Sequence, residues 1–233
     1  MRVLALTIDL DDTLWPVAPA LERADRAVDA WLRRHHPDVA RVWPVTAMRE
    51  LRARIASRRL DLAHDFTAQR RLTLQQAFAA CGIAAAPVDE LWEIYFAARN
   101  TVELYPDSLP ALRRIAARWP LASLTNGNAD LQRIGIRQHF THHISARVTG
   151  AAKPDPRIFL AAAEQLGVAP TAILHAGDDP LLDVAGARAA GLRTAWINRC
   201  GDRWPATLGP PPELDLPDLA ALADWLEAQP SAA

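Results

Sequence analysis

Residues Asp9-Leu10-Asp11-Asp12-Thr13 set two carboxylates two apart at the end of an apolar run, Val3 to Ile8. A carboxylate is a competent nucleophile at phosphorus, because the acyl phosphate it forms divides one hard displacement into two easier ones. A second acid nearby can protonate a leaving oxygen and later deprotonate water. Two acids so placed repel each other unless a cation sits between them. Taken alone, such a turn is as often a helix cap or a solvated loop.

Three further clusters have complementary chemistry. Leu124-Thr125-Asn126-Gly127 closes another apolar run, where a hydroxyl and backbone N–H groups can bind phosphate oxygens. Its plain alternative is a strand-to-helix turn with Gly127 at positive φ and Asn126 or Asn128 as N-cap. Ala152-Lys153-Pro154-Asp155-Pro156 puts a lysine in a rigid turn, with Asp155 as cap and Pro156 at the first helical position. There Lys153 could neutralise a carboxylate and a phosphate together, although a lone lysine is far more often a solvated surface charge. His175-Ala176-Gly177-Asp178-Asp179-Pro180-Leu181-Leu182-Asp183 supplies more acids, whose hard oxygens suit Mg2+, or which serve as N-caps.

Apolar runs of this length suit strands buried on both faces of a parallel sheet. Strands are expected from residue 3 and over 121–125, 143–147, 172–176 and 193–198. Helices are expected over 108–118, 129–136, 156–166, 180–190 and 219–228. This alternation implies βαβ units, with the four clusters at carboxyl ends of strands, where open α/β sheets bind ligands. Between residues 18 and 100 the pattern is helical throughout, through Leu21, Ala24, Val28 and Trp31, then 48–60, 66–81 and 88–98. The expected division is a core of 1–16 and 104–233 around a helical block of 17–103 that covers the crevice, excludes water and selects substrate.

With 233 residues, half of them hydrophobic and a net charge of −1, the chain lacks the basic face of a nucleic-acid or membrane-surface binder. No stretch approaches the ~20 apolar residues of a membrane span, and no signal-peptide pattern precedes Asp9, so a cytoplasmic protein with small soluble partners is expected. Cys81 and Cys200 stand alone and read as ordinary buried thiols, without a disulfide framework or zinc site.

In sequence order these motifs, with Gly186-Ala187-Arg188-Ala189-Ala190-Gly191-Leu192 after them, resemble the haloacid dehalogenase superfamily of hydrolases with a helical C1-type cap. The resemblance implies an α/β Rossmannoid core with a parallel sheet and an inserted all-helical cap. It implies Asp9 as phosphoryl-accepting nucleophile, and Asp11 as general acid/base whose backbone carbonyl also meets Mg2+. Thr125, Asn126 and Lys153 would hold the phosphoryl group, Asp178 would ligate Mg2+ with Asp9 and Asp11, and Asp179 or Asp183 would support the site. Dehalogenases of the superfamily lack an acid at the position of Asp11, so its presence favours phosphate esters.

The stretch from His64 to Arg70, Gln76-Ala77-Phe78 and Trp119-Pro120-Leu121 are similar to YigB-like phosphatases. That likeness implies flavin mononucleotide or 5-amino-6-(5-phosphoribitylamino)uracil, a riboflavin precursor, as substrate. His64, Asp65 and Arg70 are candidate substrate selectors; otherwise His64 and Asp65 cap a helix and Arg70 is solvated. Trp15 could stack on a flat ring or pack the hinge. A phosphomutase, a sugar-phosphate phosphatase and a non-catalytic binding protein of the same fold are the competing readings.

Overall fold

A computed structural model describes residues 2–229. In chain order the elements are β1 (Ala5–Ile8), α1 (Val17–His35), α2 (Pro37–Val42), α3 (Val45–Arg58), α4 (Phe66–Ala80) and α5 (Val88–Arg99). Then come α6 (Ser108–Ala116), β2 (Leu121–Thr125), α7 (Leu131–Ile134), β3 (His142–Ser145), α8 (Ala146–Thr149) and α9 (Pro156–Leu166). The chain continues through β4 (Ile173–Gly177), a π-helical turn at Pro180–Ala185, α10 (Gly186–Ala189), β5 (Arg193–Ile197), β6 (Leu214–Leu216) and α11 (Leu219–Glu227).

The chain forms two compact units. Residues Met1–Pro16, Glu103–Gly127 and Gly135–Ala233 make an α/β unit with a six-stranded sheet in the order β3-β2-β1-β4-β5-β6, parallel throughout. The strands β1, β2 and β4 are buried along their whole length, which explains their uninterrupted apolar runs. Ile158, Phe159, Ala162 and Ala163 of α9 form one core cluster with Ala5, Leu124, Ile144 and Ile173 of the sheet. Since β2 and β4 flank β1 on opposite sides, the chain reverses direction of winding there, and Asp9 follows β1, Thr125 ends β2 and Asp178 follows β4 at that edge.

Residues Val17–Val102 and Asn128–Ile134 make the helical unit, whose core gathers Val28 and Leu32 of α1, Leu74 and Phe78 of α4 and Leu91 and Tyr95 of α5. Asn128 to Ile134 belong here because Arg99 Nε donates to Asn128 Oδ1 at 3.1 Å, and Asp130 N to Asn100 Oδ1 at 2.7 Å. None of those polar links leaves a trace in hydropathy.

Several local expectations are corrected. The strand expected at 143–147 ends at Ser145, where its pairing with Thr125 stops, and the chain turns into α8, which closes on Gly150 at φ 69°. The helix expected over 180–190 begins as the π-helical turn. β6 and α2 were not anticipated: β6 is three residues, none fully buried, paired among the described residues with β5 alone, and α2 has six residues opening on Pro37. Cys200 is exposed rather than buried, and Cys81 is half-buried. Among the described residues, no helix is long and apolar enough to cross a membrane.

Candidate active site

The α/β unit gathers the buried Asp9, Lys153 and Asp183 and the half-buried Asp178 into one charge cluster. Asp9 is fixed as its N–H donates to Ala176 O at 2.9 Å, an extension of the β1–β4 ladder. Beyond it, Leu14 N donates to Leu10 O and Asp12 N to Trp15 O, both at 2.8 Å, and Asp12 takes φ 60°, a left-handed value that aspartate tolerates. Arg199 pins this loop: it donates to Thr13 O at 2.8 Å, pairs with Asp107 at 2.9 Å and lies 3.8 Å over the Tyr105 ring.

Lys153 is 5% exposed, so the solvated-lysine reading does not hold. Its Nζ lies 2.6 Å from both Asp9 Oδ1 and Asp183 Oδ1. Burial opposes its charge, but Asp183 and Asp9 outweigh that and hold its pKa above the ordinary lysine value. Burial drives Asp9 well above the usual carboxylate range, with Asp183 and Asp178 adding repulsion and Lys153 opposing it. Asp183 goes the other way: although burial disfavours its charge, Lys153 and His175 hold its pKa below the usual range.

Asn126 places the lysine. Its Nδ2 donates to Lys153 O at 3.0 Å while its Oδ1 accepts from Lys153 N at 2.7 Å, so both ends of the amide hold the backbone of one residue. Asn126 is therefore no helix cap, and neither is Asn128; the cap of α7 is Asp130, which accepts from Gln132 N and Arg133 N at 2.9 and 3.2 Å. Nor is Gly127 among the described glycines of positive φ; its N–H donates to Thr125 Oγ1 at 2.9 Å. Asp155 does cap α9, accepting from Arg157 N at 2.9 Å with Pro156 in the first turn.

The two acids left open by the sequence divide cleanly. Asp179 Oδ1 caps the following turn, accepting from Leu181 N and Leu182 N at 2.8 Å each. Asp183 instead takes Lys153 Nζ, His175 Nε2 at 3.0 Å and Asp179 N at 3.0 Å. Gly177 makes room for it: a Cβ there would lie 2.2 Å from Asp183 Cγ. Gly177→Ala is expected to cost about 1–3 kcal/mol of stability through overpacking, read as a lower urea midpoint, and to displace Asp183 from Lys153.

His175 was in the motif without a role. Its Nδ1 lies 2.8 Å from Thr7 Oγ1, and burial lowers its pKa, so a neutral ring donates to Asp183 and accepts from Thr7. The signal was there: Thr7 and His175 are polar residues at facing positions of adjacent, otherwise apolar strands. Thr13 was likewise missed as a partner; its hydroxyl donates to Asp178 Oδ1 at 2.8 Å, and Trp196 Nε1 donates to Asp178 O at 2.7 Å. Trp15 is fully buried and donates to Asp11 Oδ1 at 2.9 Å, which removes it as a stacking platform and orients Asp11.

Carboxylate oxygens of Asp9, Asp178 and Asp183 lie within 4.8 Å of one another. Burial and the charge of Asp183 push Asp178 up to about 7, against the opposing influence of Thr13 and Lys153. Hard oxygens in this arrangement fit a small divalent cation. With Asp183 already accepting from three donors, the carboxylates fitted to meet such an ion are those of Asp9 and Asp178. The carboxylate of Asp11 is not part of this group.

In the helical unit, Asp65 caps α4 through Ala68 N at 2.9 Å, and His64 is half-buried in the preceding turn. Arg70 is not solvated: its side chain is 14% exposed, pairs with Asp25 at 3.2 Å and lies 3.8 Å over the Tyr95 ring.

A family model described as haloacid dehalogenase-like hydrolase matches residues 3–191. The chain belongs to the haloacid dehalogenase-like hydrolase family. It is thus a hydrolase built on that family's α/β core with an inserted all-helical cap. The Escherichia coli K12 protein 5-amino-6-(5-phospho-D-ribitylamino)uracil phosphatase YigB is 32% identical over 97% of each chain. A phosphoserine phosphatase of Thermus thermophilus is 38% identical over 136 residues, 56% of this chain and 55% of its own. A solved structure of a 2-haloacid dehalogenase from Pseudomonas syringae pv. Tomato superposes with a TM-score of 0.90 at 35% identity, covering 97% of this chain and 99% of that one.

Proposed function

We propose that this hydrolase is an Mg2+-dependent phosphomonoesterase for a small phosphorylated metabolite. The observation that carries the reading is a nucleophile-and-proton-carrier pair: Asp9 held at 2.6 Å by Lys153, with Asp11 two residues on, oriented by Trp15. An Asp9 oxygen attacks phosphorus and the ester oxygen leaves, taking a proton from Asp11. Asp11 then takes a proton from water, which attacks phosphorus, breaks the bond to Asp9 and releases inorganic phosphate. Thr125 and Lys153 hold the phosphoryl oxygens, with Asn126 fixing Lys153 and Asp183 and His175 holding its ammonium from behind. Asp9, Asp178 and the Asp11 carbonyl would hold Mg2+, which would supply charge neutralisation at the phosphoryl group.

The similarity to the E. coli enzyme supports 5-amino-6-(5-phospho-D-ribitylamino)uracil, the compound that enzyme is named for, as substrate, and flavin mononucleotide is the next candidate. A second reading, dehalogenation, is favoured by the likeness to the P. syringae protein; Asp11 argues against it. A screen of phosphorylated metabolites including these two flavin compounds and sugar phosphates, with 2-chloropropionate alongside, separates the readings. Phosphate release that chelation abolishes is the expected result. Chloride release without phosphate release would make the chain a dehalogenase, and isomer formation without phosphate release a mutase.

A further inference from the structure

The loop leaving β1, residues 10–15, carries Asp11 and reaches Asp178 through Thr13. Two segments distant in sequence hold it. The stretch that re-enters the α/β unit supplies Tyr105, whose N–H donates to Leu14 O at 2.9 Å, and Ser108, whose hydroxyl donates to the same oxygen at 2.8 Å. The stretch after β5 supplies Arg199, two residues beyond the strand.

Arg199 uses its guanidinium as a fork. Nη1 and Nη2 donate to the two oxygens of Asp107 at 3.0 and 2.9 Å, and Nη2 also donates to Thr13 O at 2.8 Å. Its Cζ lies 3.8 Å from the centroid of the Tyr105 ring. Asp107 is fixed in turn, since its Oδ2 also accepts from Leu219 N, at 2.9 Å, where α11 begins. Although burial disfavours its charge, Arg199 and the Leu219 N–H hold its pKa below the usual carboxylate range. Among the described residues Arg199 Nε is buried without a partner. That unmet donor costs free energy, and the geometry is kept around the Asp107 and Thr13 bonds.

Thr13 joins this clamp to the acid cluster. It is fully buried with both polar ends in use: its carbonyl accepts from Arg199, and its hydroxyl donates to Asp178 Oδ1 at 2.8 Å. A β-branched side chain is stiff about its one torsion, so a shift of the carbonyl carries the hydroxyl with it. Trp196 Nε1 holds the other end of the residue, donating to Asp178 O at 2.7 Å. The Asp178 carboxylate is therefore oriented by a hydroxyl whose own place depends on Arg199, and partners of this kind tune how well a ligand meets its metal.

We propose that Arg199 is a positioning residue for metal binding: fixed by Asp107, it holds the Thr13 carbonyl so that the Thr13 hydroxyl orients the Asp178 carboxylate for Mg2+. The inference rests on the reading of Asp178 as a ligand of Mg2+. A lysine could not replace Arg199, because a single ammonium cannot grip both Asp107 oxygens in a plane and reach the Thr13 carbonyl as well.

Mn2+ stands in for Mg2+, since both take octahedral oxygen ligands, and its binding to the full chain is read by loss of the free-ion electron paramagnetic resonance signal. Arg199→Lys, which keeps the charge and loses the fork, and Asp107→Asn are each expected to weaken Mn2+ binding by about tenfold, the scale of a lost outer-shell partner. Thr13→Val should weaken it at least as much, and adding Arg199→Lys to Thr13→Val should weaken it little further, because both act along one path. A cavity of about 600 Å3, lined by Arg199, Tyr105, Asp12 and Asp178 among others, gives a free guanidinium ion room to reach the vacated place in Arg199→Ala. Millimolar guanidinium should therefore restore Mn2+ binding to that variant and leave the parent unaffected, which a general loss of folding would not allow. A parent that binds no Mn2+ overturns the metal reading itself. A parent that binds, beside Arg199→Lys and Asp107→Asn variants that bind as tightly, overturns the role of Arg199 alone. So do a double-variant loss equal to the product of the single losses and a failure of guanidinium to restore binding.

Discussion

Asp9→Asn is expected to lower the rate of phosphate release by ~10^4-fold or more, the scale seen when a covalent nucleophile is removed. The geometry makes this loss specific to the chemistry. Asn has the same shape, keeps the backbone bond to Ala176 O and removes a carboxylate whose charge burial disfavours, and Lys153 retains Asp183. Stability should therefore hold or rise while turnover vanishes, the trade expected at a site whose charges serve reaction rather than folding. Steady-state phosphate release and a urea melt on the same preparation check both halves. A variant that still turns over at a tenth of the parent rate would exclude Asp9 as nucleophile.

Lys153→Met is expected to be the most damaging single change to the core. It removes the cation lying 2.6 Å from each of two buried carboxylates, and breaking a buried pair in this way typically costs about 3–5 kcal/mol. Both carboxylates then lose the influence that lowers their pKa: Asp183 rises from below its unfolded value to above it, and Asp9, already above, rises further. The folded variant binds more protons than the unfolded chain, and its stability falls as pH rises. The deficit against the parent should thus be larger at pH 8 than at pH 5, measured by denaturant midpoints at both. Equal deficits at the two pH values would mean that Lys153 acts through packing and not through charge.

Much of this was legible in the chain. Asp9, Thr125, Lys153 and Asp178 were singled out because apolar runs end at each of the first, second and fourth, and a proline-bracketed turn holds the third. The runs at β2 and β4 read correctly because strands buried on both faces carry no polar interruption. The helices α4, α5 and α9 likewise follow periodicity and caps, Asp65 and Asp155 among them.

What failed was whatever depends on a distant partner. Arg70 looks like any exposed helical arginine until Asp25, forty-five residues away, and Tyr95 are folded against it. Asn126 looks like a cap until the backbone N–H and C=O of Lys153 occupy both ends of its amide. β6 and the adoption of residues 128–134 by the helical unit rest on pairings and hydrogen bonds with no local signature.

The sequence by itself determined the family, the parallel sheet and the types of group brought to its carboxyl edge, because those follow from local alternation and from the residues that end each strand. Only the tertiary structure decided which acid is a cap and which a brace, that Lys153 is buried between two carboxylates, and that Arg70 is held between Asp25 and Tyr95. Hydropathy is a property of neighbours along the chain, whereas charge state, desolvation and pairing are properties of neighbours in space.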